Sequence, residues 1–202
     1  GNATLAGTQV NGNVVSATYD AWGGGVYNSG ETLAITGSSV NSNTVQASDS
    51  LGFGYGGGIY NSFGTLAITG SSVNSNTVQA GSGSGFGGGI YNRATLAITD
   101  SSVNSNTVQV SSGSGYGGGI YNSFGTLAIT GSSVNSNTVQ AGSGSGFGGG
   151  IYNGSGNATL AGTQVNGNVV SATFNARGGG VYNDSGTLAI TGSSVNSNTV
   201  QA

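Results

Sequence analysis

The sequence predicts a right-handed parallel β-helix, that is, a β-solenoid of about six and a half coils. Three observations lead to this fold: a repeat of about 31 residues, a two-residue apolar alternation inside each repeat, and the lack of any stretch with a 3.6-residue apolar period. A unit of this length cannot bury its own apolar side chains, so successive units must stack and pair their strands in parallel. Crossovers between parallel strands favour the right hand.

The repeat is defined by three landmarks. Thr-Leu-Ala occurs seven times, and so does a valine followed three residues later by asparagine. The string Gly-Gly-Gly-(Val/Ile)-Tyr-Asn recurs at intervals of 33, 31, 30, 31 and 30 residues, beginning at Gly23, Gly56, Gly87, Gly117, Gly148 and Gly178. Dividing the 202 residues by a period of about 31 predicts six and a half units.

A longer period of 155 residues, or five units, lies over the short one. Residues 2–18 are identical to residues 157–173, and the stretch ending at Ala202 follows the one ending at Ala47 at the same offset. We therefore expect one solenoid domain over residues 1–202 that is a window of a longer array. Neither end resembles a polar capping unit, which predicts continuation along the axis, either covalently or by head-to-tail contact.

Each unit begins with a strand of alternating pattern. In the run from Thr65 to Thr69, Leu66 and Ile68 are predicted to point inward, and the intervening residues outward. Copies of this strand form a predicted flat, uncharged face of Thr65, Ala67, Thr69, Thr95, Ala97, Thr99, Thr126, Ala128 and Thr130. Val73 and Val78 supply the next inward positions, and Ile59 the one after the glycines. Gly, Ser and Asn bound these short runs, as is typical of strands joined by turns.

Asparagines recur in phase with the apolar residues. Asparagine tolerates left-handed backbone, and its amide can bond to a stacked copy through both its donor and its acceptor. We therefore predict two structural ladders, formed by Asn43, Asn76, Asn106, Asn137 and Asn198, and by Asn61, Asn92, Asn122 and Asn153.

Aromatic residues form two more columns. The predicted outward stripe, a candidate for self-assembly or surface contact, consists of Tyr27, Tyr60, Tyr91, Tyr121, Tyr152 and Tyr182. A second file directly precedes the glycines and consists of Trp22, Tyr55, Phe86, Tyr116 and Phe147, with Arg177 in the last unit. Both columns are interpreted as packing, with a sticky stripe for sugars, surfaces or other filaments as the alternative.

These residues resemble the polymorphic outer membrane protein repeats of autotransporter-like bacterial surface proteins. The resemblance lies in Gly87-Gly88-Gly89-Ile90, where the family has Gly-Gly-Ala followed by Ile, Leu or Val, and in Val73-Asn74-Ser75-Asn76, where it has Phe-x-x-Asn. It extends over essentially the whole chain. It implies a secreted or surface-exposed β-helix, often adhesive, and hence an extracellular or cell-surface location.

Composition argues against most chemistry. The chain has 43 glycines but no cysteine, histidine, methionine, proline or lysine, so thiol, histidine and Cys/His zinc chemistry lack their side chains. Its five acids are scattered over different units, and its two arginines cannot follow a nucleic-acid backbone. No apolar run is long enough to span a bilayer. We expect no enzyme activity, cofactor, metal, nucleic-acid partner or membrane span.

Two principal functions remain open. The first is a structural or adhesive solenoid of a bacterial surface or extracellular filament, whose main partner is another copy of itself and which could also contact other filaments or surface glycans. The alternative is an ice-binding solenoid that uses the Thr-x-Ala-x-Thr face, although its threonines lie four residues apart rather than two. A carbohydrate-binding β-helix module is a lesser alternative.

Overall fold

Short alternating segments build the whole molecule. A computed structural model describes residues 1–49 and 51–202, and within these ranges the chain forms 26 short strands and no helix. The strands, numbered β1 to β26 along the chain, assemble into four parallel sheets. Each coil contributes one strand to each sheet in turn. The predicted all-β parallel solenoid, with coils of about 31 residues, is confirmed.

Sheets 1 and 2 contain seven strands each. Sheet 1 consists of β1 (Ala3–Ala6), β5 (Thr32–Thr36), β9 (Thr65–Thr69), β13 (Thr95–Thr99), β17 (Thr126–Thr130), β21 (Asn157–Ala161) and β25 (Thr187–Thr191). Sheet 2 consists of β2 (Val14–Ala17), β6 (Thr44–Ala47), β10 (Thr77–Ala80), β14 (Thr107–Val110), β18 (Thr138–Ala141), β22 (Val169–Ala172) and β26 (Thr199–Gln201).

Sheets 3 and 4 contain six strands each. Sheet 3 consists of β3 (Ala21–Trp22), β7 (Gly54–Tyr55), β11 (Gly85–Phe86), β15 (Gly115–Tyr116), β19 (Gly146–Phe147) and β23 (Ala176–Arg177). Sheet 4 consists of β4 (Val26–Asn28), β8 (Ile59–Asn61), β12 (Ile90–Asn92), β16 (Ile120–Asn122), β20 (Ile151–Asn153) and β24 (Val181–Asn183). The sequence therefore runs through six full coils and then the first half of a seventh.

The strand register places like residues on like residues. Leu66 pairs with Leu96, and Ile68 with Ile98. Every strand bond thus crosses to a neighbouring coil. Because the side-chain period is two, this register keeps the leucine and isoleucine of each sheet 1 strand on the inner face.

The interior is divided into two cores. The aliphatic core combines the Leu and Ile of sheet 1, the valine of the following bend and the Ile of sheet 4, such as Leu66, Val73 and Ile90. The small core combines the Val and Ala of sheet 2, such as Val108, with the short residues of sheet 3. Complete burial of one such Leu, Ile or Val side chain stabilises the fold by about 1.5–3 kcal/mol.

The glycine triplets lie at the boundary between the two cores. A Cβ on Gly57 would lie 2.7 Å from the carbonyl carbon of Thr77, and it would also meet the carbonyl oxygen of Gly88. A Cβ on Gly58 would lie 2.8 Å from Nδ2 of Asn76. Two opposite segments of the coil therefore approach within backbone contact here, and only glycine leaves room for that approach.

Left-handed backbone occurs beside the predicted asparagines and not at them. In the Val-Asn-Ser-Asn bends, the serine has positive φ, as in Ser75 at 57° and Ser105 at 57°. Glycine takes the same place at Gly12 and Gly167. The left-handed conformation that asparagine tolerates is thus taken by its neighbour in the bend, and the asparagine uses its amide for ladder bonds.

Candidate functional surfaces

The first predicted asparagine column forms a continuous ladder inside the molecule. Asn76 Nδ2 donates to Oδ1 of Asn106 at 3.0 Å, and the backbone N–H of Asn76 donates to the same oxygen at 2.9 Å. The second hydrogen of each amide reaches back, as in Asn106 Nδ2 to the carbonyl of Val73 at 2.9 Å. Asn76, Asn106 and Asn137 are fully buried. In these middle coils the amide donors and the acceptor of each asparagine are thus used within the fold.

The second predicted column forms a similar ladder along sheet 4. Asn61 Nδ2 donates to Oδ1 of Asn92 at 2.8 Å, and Asn92 donates to Asn122 at 2.7 Å. Most of these amides also donate to the carbonyl of the first residue of a sheet 1 strand, as Asn61 does to Thr95 at 3.1 Å. Asn122 donates instead to the carbonyl of Gly125, just before β17, at 2.9 Å. The ladder therefore connects the sheet 4 strand with the turn that follows it.

A third asparagine column was missed in the sequence. Its amides lie nearer the surface, and its oxygens accept from the next coil, as when the backbone N–H of Asn104 donates to Oδ1 of Asn74 at 2.8 Å. Asn104 Nδ2 donates to the hydroxyl of Ser133 at 3.0 Å. The sequence does contain the signal for this column, since each Val-Asn-Ser-Asn bend has two asparagines. Only the second of them is predicted from the sequence to join a ladder.

The tyrosine column is stacked but is not an exposed stripe in the middle coils. Ring centroids lie 5.0 Å apart between Tyr60 and Tyr91, with planes 5° from parallel. Tyr60, Tyr91 and Tyr152 are only 5–8% exposed, whereas Tyr27 in the first coil is 52% exposed. The prediction of an outward surface stripe therefore needs correction, because the second aromatic file covers these rings.

The second file packs edge-on against the tyrosines. The ring of Tyr55 lies 6.1 Å from Tyr60 and 5.3 Å from Tyr91, with both pairs close to perpendicular. Within the file the rings stack, with Tyr55 and Phe86 at 5.0 Å and 8°. The ring faces are therefore covered by other rings of the same file, and half-buried edges remain at the surface. This arrangement favours packing over sugar binding along most of the stripe.

Burial changes the acidity of the covered phenols. Burial raises the pKa of Tyr91 to about 12, with Ser123 as a hydrogen-bond partner acting in the opposite direction. Burial, together with the nearby Asp20 carboxylate, raises the pKa of Tyr55 to about 12. The double aromatic column thus stabilises the neutral phenols.

The predicted Thr/Ala face lies on the outside of sheet 1. Thr65 pairs with Thr95, Ala67 with Ala97 and Thr69 with Thr99, and the next coil continues with Thr126, Ala128 and Thr130. These side chains are half-buried or exposed. The rows change in β21, where Asn157 and Ala161 replace the two threonines. Threonine rows in register therefore extend over four successive coils, β5 to β17.

The aromatic file is interrupted in the sixth coil. Arg177 pairs with Phe147 in the strand register, so an arginine occupies the place of the next ring. A cavity of about 260 Å³ opens at this step, lined by Tyr116, Phe147, Tyr152, Asn175, Arg177, Tyr182 and Asp184. Tyr152 donates its hydroxyl to Oδ2 of Asp184 at 3.3 Å. We call this space the Arg177 cavity.

The acids do not form a catalytic or metal-binding cluster in the part of the chain that the structure describes. No three His, Cys, Asp or Glu residues of residues 1–49 and 51–202 come close enough together to hold a metal ion. The described residues also include no helix that could cross a membrane. Comparison with protein-family models, with curated proteins and with solved structures finds no match for this chain.

Proposed function

We propose that this chain is a non-enzymatic structural solenoid of an extracellular or cell-surface filament, and that its coils continue along the axis from copy to copy. The observation that carries the proposal is a match in strand register. The five residues Asn2–Ala6 are identical to residues 157–161, and β25 has the sequence of β17. A copy placed after β25 would therefore reproduce the pairing that β17 already makes with β21.

The same match holds for sheet 2. The segment of β26 is a copy of the start of β18, and β2 is a copy of β22, whose pairing places Val139 beside Val170. In the last strands, the inward-pointing Ile190 and Val200 lie at the open end of the stack and are 42% and 46% exposed, whereas their counterparts Ile129 and Val139 are at most 1% exposed. Stacking would bury these residues on the valine and leucine columns of the next copy.

Sheets 3 and 4 show what a complete junction requires. They have six strands where sheets 1 and 2 have seven, so two stacked copies of residues 1–202 leave one strand position open in each of these sheets. Residues 48–61 follow Ala47 in the first copy of the repeat and contain β7 and β8. A further copy of these residues after Ala202 would supply both missing strands, as it would in a longer covalent array.

The test compares the chain with a version extended by a copy of residues 48–61. We expect the extended chain to assemble into fibres at lower concentration, with a repeat of about 4.8 Å along the axis in fibre diffraction. Ile190→Lys in the extended chain should block assembly, because it places an unpaired charge at the junction. Thr95→Lys, on the lateral face, is the matched control. An extended chain that sediments as a monomer at all concentrations would overturn the proposal.

Ice binding is the second candidate, and the threonine rows in register favour it. The rows repeat every ~4.8 Å along the axis, and the two threonines of a strand are about 13 Å apart. Thermal hysteresis measures this function directly. Thr99→Lys should abolish hysteresis and Gln109→Lys, on sheet 2, should not. Equal hysteresis in both variants, or none in the unmodified chain, would reject this candidate.

A further inference from the structure

We propose that the Arg177 cavity binds one residue of a neutral hexopyranose. This inference deepens the proposed surface role by naming an adhesive ligand, but it does not depend on end-to-end assembly. The cavity lies between the fifth and sixth coils, and its lining includes residues of β23 and β24, the last strands of sheets 3 and 4. The sugar test therefore uses the chain without the extension, in which these two strands have no following neighbour.

The apolar part of the cavity is an aromatic ring without its usual stacking partner. On one side Phe147 stacks on Tyr116, with centroids 5.3 Å apart and planes 18° from parallel. On the other side its file continues with Arg177 rather than a ring, and the ring found there, Tyr182, is tilted by 42° at 5.5 Å. The apolar C–H face of a pyranose is a suitable partner for such a ring, since small-molecule sites are lined mainly by aromatic and apolar groups.

The polar part of the cavity suits hydroxyl groups. The Arg177 guanidinium only donates, the Asp184 carboxylate only accepts, and the Asn175 amide does both. Asp184 receives one hydrogen bond from Tyr152 and keeps further acceptor positions. Neighbouring sugar hydroxyls each donate and accept, so they can match such a set.

The charges of the cavity point to a neutral ligand. Arg177 and Asp184 line the same space, and within the described residues Arg177 has no ion-pair partner closer than 4.0 Å. A carboxylate or phosphate would meet the repulsion of Asp184, and an ammonium group would meet that of Arg177. The volume of about 260 Å³ lies just below the ~300–1,000 Å³ of sites for drug-sized ligands, which fits a single sugar residue.

Both charged residues are departures from the repeat. The place of Arg177 is held by a ring in the five other coils, and Ser62 and Ser123 stand where the sixth coil has Asp184. The same coil carries both changes. Since the rest of the repeat shows that a ring and a serine are compatible with the fold, neither charged residue is needed for coil packing.

The experiment uses the 202-residue chain and methyl α-D-glucopyranoside, methyl α-D-mannopyranoside and methyl β-D-galactopyranoside as probes. Saturation-transfer NMR detects binding, and the backbone amide shifts of Ala176 and Arg177 locate it, with the distant Trp22 indole as internal reference. We expect saturable shifts at the cavity in the millimolar range for at least one probe, as expected of a small, open site.

Variants separate the cavity from the rest of the surface. Arg177→Phe restores the ring of the file and should weaken binding at least about tenfold, and so should Asp184→Ser. Arg93→Ser changes the other arginine to the residue found in equivalent coils and should leave binding unchanged. Asp184 lies on an exposed loop, so its variant decides the question if the Arg177 variant misfolds.

Three outcomes would overturn the proposal: no saturable shift with any probe, equal binding by the Asp184 variant and the unmodified chain, or stronger binding of glucuronate or glucosamine than of the neutral sugars. Sugar binding by a chain that never forms fibres would reject the filament and keep the cavity. Fibres from the extended chain, without sugar binding by the 202-residue chain, would reject the sugar site and keep the filament.

Discussion

The aliphatic core and the small core lie in the same coils but are packed in different ways. In the aliphatic core, Leu, Ile and Val stack on their own copies and fill the space with side-chain volume. In the small core, backbone lies close to the valines, so that a Cβ on Gly85 would come within 2.7 Å of Cγ1 of Val108. One core depends on large side chains, and the other depends on small ones.

The boundary between the cores combines both requirements. On one side lies the backbone of the glycine triplets, and on the other lies the asparagine column that includes Asn76 and Asn106, which we call the inner asparagine ladder. Gly58, for example, contacts Asn76. A polar ladder is tolerated in this interior because each amide is satisfied by neighbouring coils, and the described residues contain no buried side-chain N or O without a hydrogen bond. A coil of this length therefore needs a hydrogen-bonded asparagine ladder between its two cores as well as its apolar columns.

The largest expected effect is that of a charge in the aliphatic core. Ile90 is fully buried and pairs with Ile59 and Ile120. Ile90→Asp should therefore destabilise the fold by more than about 4 kcal/mol or prevent folding, because the carboxylate has no partner there. Thr126→Asp, on the exposed outer face, should change stability by less than about 0.5 kcal/mol. Urea denaturation measures both, and similar midpoints would contradict a continuous aliphatic core.

The second effect concerns the asparagine ladder between the two cores, which includes Asn106. Asn106→Asp removes the donor that bonds to the carbonyl of Val73 and to Oδ1 of Asn137, and it turns an anion toward both oxygens. We expect a loss of about 3 kcal/mol or more at pH 7. Asn104→Asp should lose less than about 1 kcal/mol, since the carboxylate still accepts from the backbone N–H of Asn135. Equal losses would mean that the inner ladder is not what separates the cores.

The third prediction compares two glycines of one coil. A Cβ on Gly88 would lie 2.7 Å from the carbonyl carbon of Thr107, which is backbone, and Gly88→Ala should cost about 1–3 kcal/mol. Gly85→Ala should cost less than about 1 kcal/mol, because its nearest obstacle is a valine methyl that can move and because alanine occupies the equivalent positions in β3 and β23. Thermal denaturation ranks the two variants. A lower melting temperature for Gly85→Ala than for Gly88→Ala would mean that the closest packing lies in the small core and not at the glycine triplet.

The smallest effect concerns the outer aromatic columns and appears only at high pH. The pKa of Tyr91 is raised from 10.0 to about 12 in the folded chain, so the folded state holds the phenol proton more tightly than the unfolded state. Its contribution to stability is complete below pH 10 and is lost as the pH rises from about 10 to about 12. Urea midpoints across this range should fall less steeply in Tyr91→Phe. A native Tyr91 phenolate that forms near pH 10, followed by ultraviolet absorbance, would contradict the covered column.

The architecture of a single coil is already encoded in its repeat. Repeats of about 31 residues with Leu66-x-Ile68 alternation can bury their apolar side chains only by stacking, so the parallel register and the asparagine columns follow from spacing alone. The sequence also predicted the outward placement of the Thr/Ala face, because the side-chain period of a strand is two.

How the parts of a coil meet across its interior and around its corners depends on contacts that the repeat does not specify. The burial of Tyr91 depends on contact between sheets 3 and 4, which the two-residue period does not predict. The division into two cores depends on how closely Gly57 approaches Thr77. The Arg177 cavity likewise exists because two residues seven positions apart reach the same gap in the aromatic file. These are contacts between non-adjacent segments, and their distances are set by the shape of the whole coil.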